Sequence, residues 1–381
     1  MRIGEFVTVF PSGETEVYGP GRVAYHLAKE LAERGHEVYV FSSFTDDVVK
    51  RQGSLTVYFY KSLFKIGFSY ISPKLLFNPL KHDIDLVHAH SDTPVSVLAG
   101  LMYAKKKRKP LVVTWHGEWS ENYGSIIRRV GVWISKKWLI SRVLASADII
   151  VVPSEYFIEE SIFLKRYRDK IIEIPNGVDI ETFAAPYSKE EVRKILGLEE
   201  RGRVVLQVSV LLERKGPHIL LKAIPRVVER CENVTFVFVG GGELERYRML
   251  ARKLGVEKYV KFTGYVKEGE KLLYYKAADV FVLPSVEEVM PLALLEASAA
   301  GLPIVASDLT TLRRIIEDGY NGLFVKRGDP RSLADAIIYL LENEDVRERI
   351  GKNARERIKE YSWSRIAERY EEIFKELVKH D

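Results

Sequence analysis

The amino-acid sequence predicts an α/β protein with two doubly wound domains, and three observations support this. Short apolar runs rich in Val and Ile recur between longer amphipathic patterns, which is typical of parallel strands covered by helices on both faces. The apolar runs fall into two series along the chain, and each series is long enough to form one sheet. The chain has 381 residues, of which 46% are hydrophobic, so it can bury about two separate cores.

The first series predicts the strands of an N-terminal domain. Its members are IGEFVTVF (3–10), HEVYVF (36–41), IDLVHAH (84–90), PLVVTW (110–115) and ADIIVV (147–152). The second series predicts the sheet of a C-terminal domain. Its members are RVVLQVS (203–209), NVTFVFVG (233–240), YVKFTG (259–264), ADVFVLP (278–284), LPIVAS (302–307) and NGLFV (321–325). Because these runs do not alternate strictly between apolar and polar residues, we expect both sheets to be buried on both faces.

A turn-rich stretch, IPNGVDIETFAAPYS (174–188), separates the two series and predicts the domain boundary. We therefore predict an N-terminal domain over residues 1–185 and a C-terminal domain over residues 186–363. The last segment, 364–381, has apolar residues at helical spacing and no strand of its own to cover. We expect this C-terminal helix to cross back to the N-terminal domain.

The overall composition argues against several classes of protein. The net charge is only +5, from 58 basic and 53 acidic residues, so we expect no nucleic-acid partner. Cys231 is the single cysteine, which rules out an internal disulfide and favours an intracellular setting. We find neither a secretory signal pattern nor an apolar stretch of about 18 residues, so we expect a cytoplasmic protein. Abundant Lys, Arg and Glu together with scarce Gln favour a thermophilic source.

A glycine-containing stretch, YGPGRVA (18–24), follows the first predicted strand after a long loop. Gly19 and Gly21 match part of the dinucleotide-binding fingerprint, but two features argue against a nicotinamide cofactor. The first glycine does not follow the strand directly, and Ser42 rather than an acidic residue follows the next strand. We therefore expect no cofactor, and a loop whose amides, together with Arg22, can approach an anion or a sugar.

Two loops of the predicted C-terminal domain follow strand ends, where ligands bind in doubly wound sheets. The first loop places Arg214 and Lys215 just before a helix that opens at Gly216. Side-chain charge, helix dipole and free amides would combine there into a diphosphate site. A solvated pair of basic residues is the alternative interpretation.

The second loop, after ADVFVLP, carries another set of candidates. Pro291 is expected to be the first helical residue, because its missing N–H would be unpaired there in any case. The free amides of Leu292 and Ala293 would then lie between Glu288 and Glu296. Two carboxylates beside an amide-lined anion pocket suit a ligand that has both phosphate and hydroxyl groups, namely a nucleotide sugar.

Short motifs follow one another along the chain in an informative order. They include GHEV (35–38), DLVHAH (85–90), VVTWHGE (112–118), ADIIVVPS (147–154), IPNGVD (174–179), LLERKG (211–216), GGGE (240–243), EASAAGLPIVASD (296–308) and DGYNGLFV (318–325). Their order and spacing resemble the retaining glycosyltransferases of family 4, the group 1 glycosyltransferases, over nearly the whole chain. The resemblance implies the GT-B architecture, in which two Rossmann-like domains face a cleft, with the donor on the C-terminal domain.

The resemblance also implies a reaction and roles for particular residues. The reaction is transfer of a sugar from a UDP- or GDP-sugar to a sugar or lipid-linked acceptor, with retention of configuration and without a metal. Lys215 would hold the donor diphosphate, Glu296 the ribose hydroxyls and Glu288 the transferred sugar. His116, in the motif T-W-H-G, would contact that sugar, and the Gly19 loop would close near the diphosphate.

Several positions near the expected donor site depart from the family pattern. Val210 stands where the family has a diphosphate-binding Arg, and the loss of one charged partner of a phosphate costs about 1.5–3 kcal/mol. Arg214 and Arg22 are candidates to replace that charge. Pro291 and Thr310-Thr311 also stand where the family has glycines, so a weakened or redirected enzyme is an alternative.

Other functions stay open at the level of sequence. A sugar-nucleotide epimerase shares the two-domain fold, and a catalytically weakened protein could keep the fold only to bind a partner. Asp83 and Asp85 have the D-x-D spacing of metal-dependent glycosyltransferases. His88, His90 and His116 could form a zinc set, although buried, hydrogen-bonded histidines are favoured. We therefore expect no metal site.

Basic segments that contain aromatic residues mark the predicted N-terminal domain, at 61–81, 105–109 and 128–142. Such segments could dock on an anionic membrane and give access to a lipid-linked acceptor. Amphipathic core elements with basic outer faces are the alternative interpretation. Peripheral contact with the inner face of the membrane is thus a hypothesis that the sequence raises.

Overall fold

The computed structural model describes residues 1–11, 19–66, 69–118, 126–184, 187–199 and 202–379. The chain divides into a first unit, Met1–Asn176 with Trp363–Asp381, and a second unit, Gly177–Ser362. The division lies before the boundary that we predicted after residue 185. A long-range contact explains this, because the Val178 amide donates to the Tyr361 carbonyl at 2.8 Å and Val178 forms a parallel bridge with Ser362. The turn-rich stretch is therefore attached to the second unit.

Ten strands lie in the described part of the first unit. They are β1 Arg2–Phe6, β2 Glu37–Phe44, β3 Val48–Gln52, β4 Leu55–Lys61, β5 Phe64–Ile66, β6 Ser69–Ile71, β7 Leu86–His90, β8 Leu111–Thr114, β9 Ile149–Val152 and β10 Ile171–Glu173. Eight of them form one sheet in the order β10-β9-β8-β7-β1-β2-β4-β3. Its neighbours are parallel except for the β3–β4 pair, and β5 and β6 form a separate antiparallel pair.

The second unit has a parallel sheet of six strands. They are β11 Arg203–Val208, β12 Val234–Val239, β13 Val260–Gly264, β14 Val280–Leu283, β15 Ile304–Ser307 and β16 Leu323–Val325. Their order is β13-β12-β11-β14-β15-β16, so the direction of winding reverses between β11 and β14. Ligands bind at such a switch point, beyond the carboxyl ends of the strands. The topology therefore directs attention to the loops that follow β11 and β14.

Helices alternate with the strands along both units. The α-helices are α1 Gly19–Glu33, α2 Lys74–Phe77, α3 Pro94–Lys107, α4 Ile126–Ile134, α5 Ile140–Ser146, α6 Tyr156–Glu160, α7 Lys189–Ile195, α8 Pro217–Val228, α9 Leu244–Lys253, α10 Glu268–Ala277, α11 Leu292–Ala299, α12 Pro330–Glu342, α13 Glu344–Arg357 and α14 Trp363–Lys379. Short 3-10 helices lie at Asn78–Lys81, Leu164–Lys170, Glu181–Ala184, Glu213–Lys215, Glu257–Tyr259, Thr310–Arg314 and Ile358–Tyr361, and a π-helical turn lies at Ser135–Leu139. Within the described ranges, none of the helices has the length and apolar character needed to cross a membrane.

The C-terminal helix α14 packs against α1, which confirms the predicted return to the N-terminal domain. The ring of Trp363 stacks on that of His26 with 5.0 Å between centroids. Glu371 Oε1 lies 2.8 Å from His36 Nε2. Tyr370 and Phe374 lie on the buried face of the helix, so the apolar positions at helical spacing form the packing surface.

Candidate active site

The loops after β11, β14 and β15 of the second unit are joined by hydrogen bonds. The Val286 amide donates to the Arg214 carbonyl at 2.8 Å, which links the first two loops. The Thr311 hydroxyl donates to the Glu288 carbonyl at 2.8 Å and links the third loop to the second. Thr311 stands where the family pattern has a glycine, so this departure adds a bond within the cluster. Lys215 and Glu288 therefore lie in loops that meet at the switch point of the sheet.

The position of Lys215 is fixed by a tight turn that needs a glycine. Lys215 ends the 3-10 helix Glu213–Lys215, and the cap residue Gly216 has φ +69°. A Cβ at position 216 would lie 2.0 Å from the Pro284 carbonyl oxygen, so only glycine fits there without displacing the next loop. The Gln207 side chain, on β11, donates to the Lys215 carbonyl at 2.8 Å. Lys215 is thereby held at the N-terminus of α8.

Lys215 and Glu288 form a largely buried ion pair. The Lys215 Nζ lies 2.6 Å and 2.7 Å from the two oxygens of the Glu288 carboxylate, and their side chains are 14% and 5% exposed. The Ser285 hydroxyl donates to Glu288 Oε1 at 2.8 Å. Burial lowers the pKa of Lys215, the Glu288 carboxylate opposes that shift, and the nearby Arg214 charge adds to it. The cluster can thus offer a cation to a phosphate and a carboxylate to hydroxyl groups.

Helix α11 begins at Leu292, so the prediction that Pro291 is the first helical residue is wrong. Pro291 is the N-cap, with φ −75° and ψ 128°, because the fixed φ of proline suits either position and the extended ψ places it outside the helix. The Leu294 amide donates to the Pro291 carbonyl at 3.1 Å. The geometry of a helix start leaves the amides of Leu292 and Ala293 without an intrahelical acceptor, as the sequence predicts.

Glu296 lies on α11, buried and held by residues of α10. Lys271 Nζ lies 2.9 Å from Glu296 Oε1, and the Tyr275 hydroxyl donates to Oε2 at 2.7 Å. Lys271 also lies 2.9 Å from Glu268. A carboxylate oxygen can accept more than one hydrogen bond. These contacts therefore orient Glu296 without excluding a ligand hydroxyl.

The two arginines that were candidates to replace the charge missing at Val210 lie in different units. Arg214 is half-buried in the same loop as Val210 and is close enough to Lys215 to lower its pKa. Arg22 is half-buried in the first turn of α1, in the first unit. Within the second unit, Arg214 is therefore the cation beside Lys215.

The helix α1 begins at Gly19, so Gly19 and Gly21 lie in its first turn and not at the tip of a loop. The glycines of this motif predict a loop, but Pro20 is compatible with a helix start, where its missing N–H needs no partner. Gly19 has φ +38°, and Gly21 is buried. The predicted long loop lies mostly at residues 12–18, outside the described ranges.

His88, His90 and His116 form a cluster with Glu5. His90 Nε2 lies 2.8 Å from Glu5 Oε2, and His90 Nδ1 lies 2.9 Å from His116 Nε2. His88 Nδ1 lies 2.8 Å from the same Glu5 oxygen. Glu5, His88 and His90 are fully buried, whereas His116 is half-buried.

This arrangement does not form the three-histidine zinc set considered from the sequence. Because the two nitrogens of His90 face opposite ways, His116 lies on one side of the ring and His88 on the other. Among the described residues, the group with metal-ligand spacing is instead Glu5, His88 and His90, whose ligand atoms lie within 4.8 Å of one another. In the structure these atoms contact one another directly.

The pKa values of the cluster define its charges at neutral pH. Burial lowers the pKa of His90 to about 4 and lowers the pKa of His116 well below its usual range. Burial alone would raise the pKa of Glu5, but the neighbouring His88 and His90 lower it to about 2. Glu5 is therefore an anion, and His90 and His116 are neutral.

The D-x-D pair belongs to a structural ion-pair group. Asp83 and Asp85 precede β7, at the amino end of that strand, and lie 2.6 Å and 2.7 Å from the guanidinium of Arg2. The candidate donor residues follow carboxyl ends of strands. The D-x-D spacing therefore serves to hold the start of β1 beside the start of β7.

Three residues of these clusters were not singled out in the sequence: Glu5, Lys271 and Tyr275. Glu5 does carry a signal, because an acidic residue inside an apolar strand pattern needs a buried partner. Lys271 and Tyr275 carry none, because each lies within an ordinary amphipathic pattern. Ser285 follows the end of its strand directly. Like Glu288, it is a polar residue just beyond the carboxyl end of a parallel strand, and this position is a weak indication of a binding site.

The fold and the cluster indicate a class of protein with two Rossmann-like units, of which the second places a lysine, two carboxylates and the first amides of a helix beside the switch point of its sheet. Comparison with protein families identifies the class further. The family model for group 1 glycosyl transferases matches residues 188–357, and the model for Glycosyltransferase Family 4 matches residues 17–182. The chain belongs to the group 1 glycosyltransferases and has the GT-B fold.

Similar proteins support this assignment. The chain is 29% identical over 375 residues to a phosphatidyl-myo-inositol mannosyltransferase of Mycobacterium leprae, with 93% of each chain covered. It is 28% identical over 403 residues to an alpha-monoglucosyldiacylglycerol synthase of Streptococcus pneumoniae, with 99% of this chain and 86% of the relative covered. The structure of a sucrose-phosphate synthase from Thermosynechococcus elongatus matches it with TM-score 0.81, 23% identity and 100% of both chains covered. The family and its relatives favour sugar transfer from a nucleotide sugar over the epimerase alternative.

Proposed function

We propose that this glycosyltransferase transfers a sugar from a UDP- or GDP-sugar to a hydroxyl of a lipid acceptor, with retention of configuration and without a metal ion. The largely buried Lys215–Glu288 pair carries the proposal. It places a cation suited to a diphosphate 2.6 Å from a carboxylate suited to sugar hydroxyls, at the switch point of a parallel sheet.

The donor diphosphate binds Lys215 and the amides of Leu292 and Ala293. When it binds, Lys215 exchanges part of its contact with Glu288 for phosphate oxygens, and Glu288 accepts hydrogen bonds from the transferred sugar. Fixed donors at the phosphate stabilise the charge that develops as the nucleoside diphosphate departs. Because the lysine and the helix amides neutralise this charge, the reaction needs no metal.

Two further side chains of the second unit complete the donor site. Glu296 accepts hydrogen bonds from the ribose hydroxyls, in the orientation that Lys271 and Tyr275 hold. Arg214 supplies the second cation that Val210 does not, because it is the half-buried arginine next to Lys215. Arg22 is the alternative source of that charge, in the first unit.

The chemical step breaks the bond between the anomeric carbon and the diphosphate oxygen and forms a bond to the acceptor oxygen on the same face. The proton of the acceptor hydroxyl passes to the departing diphosphate, so charge and atoms balance. His116 binds a hydroxyl of the transferred sugar. The positive charge that develops at the sugar ring disfavours cations beside it, and a neutral His116 satisfies this condition.

The proposal of a lipid acceptor rests on the relatives and on one exposed surface. The names of both relatives above refer to lipids, phosphatidyl-myo-inositol and diacylglycerol. In the first unit, Trp133 and Trp138 are 53% and 54% exposed. Lys137 lies over both rings, at 5.2 Å and 5.7 Å from their centroids, and Arg142 lies 6.0 Å from that of Trp138. This Trp-Lys surface has the composition of an interface with anionic lipid.

A transfer assay tests the proposed function. Purified protein is incubated with UDP- or GDP-sugars and vesicles that contain phosphatidylinositol or diacylglycerol, with and without EDTA. We expect a lipid-linked sugar whose anomeric configuration, determined by proton NMR, matches that of the donor, at a rate that EDTA leaves unchanged. Lys215→Ala should reduce the rate at least about tenfold, whereas Lys222→Ala, on the exposed side of α8, should not.

Three results would contradict the proposal. An inverted product would exclude the retaining mechanism, and loss of activity in EDTA would exclude the metal-independent one. Conversion of the donor into its epimer without acceptor would favour the epimerase alternative.

A further inference from the structure

A chain of hydrogen bonds links a buried carboxylate on β1 to His116. Glu5 Oε2 lies 2.8 Å from His90 Nε2, and His90 Nδ1 lies 2.9 Å from His116 Nε2. Glu5 and His90 have no exposed surface. The His116 backbone is also fixed, since its amide donates to the Ser91 hydroxyl at 2.9 Å. The series of hydrogen bonds thus ends on His116, whose ring is held by His90 and whose backbone is held by Ser91.

The donors and acceptors along this chain can be assigned one after another. An ionised carboxylate only accepts hydrogen bonds, so His90 Nε2 must carry a proton. A neutral imidazole has one donor and one acceptor nitrogen, which makes His90 Nδ1 the acceptor. His116 Nε2 must then be the donor. Because His116 is neutral as well, its Nδ1 has a lone pair and no proton.

We propose that Glu5 is a positioning residue that acts through His90 to hold His116 in the Nε2–H tautomer, so that His116 Nδ1 accepts a hydrogen bond from a hydroxyl of the transferred sugar. The identity of the ligand rests on the proposed function, but the tautomer does not. In the opposite tautomer His116 Nδ1 would be a donor. The hydroxyl would then have to accept from it and give up electron density.

The direction of this hydrogen bond matters for the reaction. A hydroxyl that donates to a lone pair gains electron density, which stabilises the positive charge developing at the ring of the transferred sugar. A hydroxyl that accepts a proton from His116 is less able to do so. Glu5 thus determines whether the hydrogen bond of His116 favours or opposes the positive charge at the sugar ring, although Glu5 itself does not contact the substrate.

A second branch from Glu5 provides a matched control. His88 Nδ1 lies 2.8 Å from the same Glu5 oxygen, and His88 Nε2 lies 2.7 Å from the Thr114 hydroxyl. That hydroxyl lies 2.9 Å from the hydroxyl of Tyr370 on α14. This branch runs into the core and not toward His116. Removing the Tyr370 hydroxyl therefore perturbs the same buried network while leaving the His116 branch intact.

Nitrogen NMR of the ligand-free protein tests the tautomer directly. The chain contains eight histidines, so selective ¹⁵N-histidine labelling gives few signals, and the spectrum of His116→Gln assigns those of His116. We expect the wild type to show Nε2 protonated and Nδ1 unprotonated. Glu5→Gln should add an Nδ1–H population, because the amide of glutamine can donate to His90 and release its tautomer. Tyr370→Phe should leave the His116 signals unchanged.

A wild-type His116 that carries its proton on Nδ1 would overturn the proposal, and this result does not depend on any variant folding. So would an unchanged tautomer in folded Glu5→Gln. Stoichiometric metal in the purified wild type would also overturn it, because a metal bound by Glu5, His88 and His90 would replace the hydrogen bonds that set the tautomer.

Kinetics of the same variants separate this proposal from the proposed function. In Glu5→Gln we expect kcat to fall about tenfold or more, with little change in the KM for the nucleotide sugar. The reason is that the other tautomer of His116 stabilises the transition state less than the wild-type tautomer does. Tyr370→Phe should leave kcat and KM unchanged. The same kcat and KM in Glu5→Gln as in the wild type would contradict the positioning role of Glu5. A wild type with the expected tautomer but no transfer activity would contradict only the proposed function.

Discussion

His90 is a buried neutral base in the first unit, and this makes the stability of the unit depend on pH. Its pKa is about 4 in the folded chain and about 6.5 in an unfolded one. As the pH falls from about 6.5 to 4, the unfolded chain takes up a proton that the folded chain does not. The free energy of unfolding should therefore decrease by about 3 kcal/mol over this range. Glu5, whose pKa is lowered to about 2, should add a further loss below about pH 4.5.

Tryptophan fluorescence can measure this effect, because all five tryptophans of the chain fall within the residue ranges of the first unit. Urea titrations of the wild type between pH 7 and pH 4 should show the decrease in the free energy of unfolding. His90→Asn should be less stable at pH 7 and should show a weaker dependence on pH. A wild-type free energy that is constant over this range would contradict the assignment of a neutral buried His90.

At the scale of residues, the sequence predicts the candidate side chains better than their partners. Lys215, Glu288 and Glu296 could be singled out because each lies after a strand or near the start of a helix, and these are local patterns. The contact between Glu5 and His90 joins residues 85 positions apart, and no local pattern encodes it. The charge of Glu5 in an apolar strand predicts that a buried partner exists, but it does not predict which residue that partner is.

At the scale of elements, every run of the two predicted series forms a strand. Most of those strands are buried, and burial on both faces makes them apolar in sequence, whereas β13 is half-buried along its length. The strand β3, VVKRQ, was not predicted. It is exposed along its whole length at the edge of the sheet. Its side chains therefore do not need to be apolar, and its sequence has no apolar pattern that would predict a strand. Its pairing with β4 could not be predicted from periodicity alone.

The Trp-Lys surface on α4, α5 and the π-helical turn between them gives a prediction at the scale of elements. The wild type should float with vesicles that contain anionic lipid, because the tryptophan rings enter the lipid interface while Lys137 and Arg142 approach the head groups. Trp133→Ala/Trp138→Ala should bind severalfold less. Tyr339→Ala, which removes a 45% exposed ring from α12 of the second unit, is the control. Equal flotation of all three proteins, or none by the wild type, would contradict the assignment.

At the scale of the whole molecule, two series of strands sufficed to predict two sheets, and the departures near the donor site did not alter the fold. The position of the division between the units could not be predicted. It depends on the pairing of Val178 with Ser362, and the second partner lies at the other end of the unit. The strand order of the second sheet places its switch point between β11 and β14, which are the strands whose loops carry the donor residues. We therefore propose that the nucleotide sugar binds to the second unit.

Calorimetric titration with nucleotide sugars is a direct test of a donor site in the second unit. We expect the wild type to bind a UDP- or GDP-sugar in EDTA and Lys215→Ala to weaken the affinity at least about tenfold, since each charged hydrogen bond to a phosphate contributes about 1.5–3 kcal/mol. Arg214→Ala should weaken it by a similar factor, and Lys222→Ala should leave it unchanged. A wild type that binds none of these donors, or a Lys215→Ala variant that binds as tightly as the wild type, would contradict a donor site in the second unit.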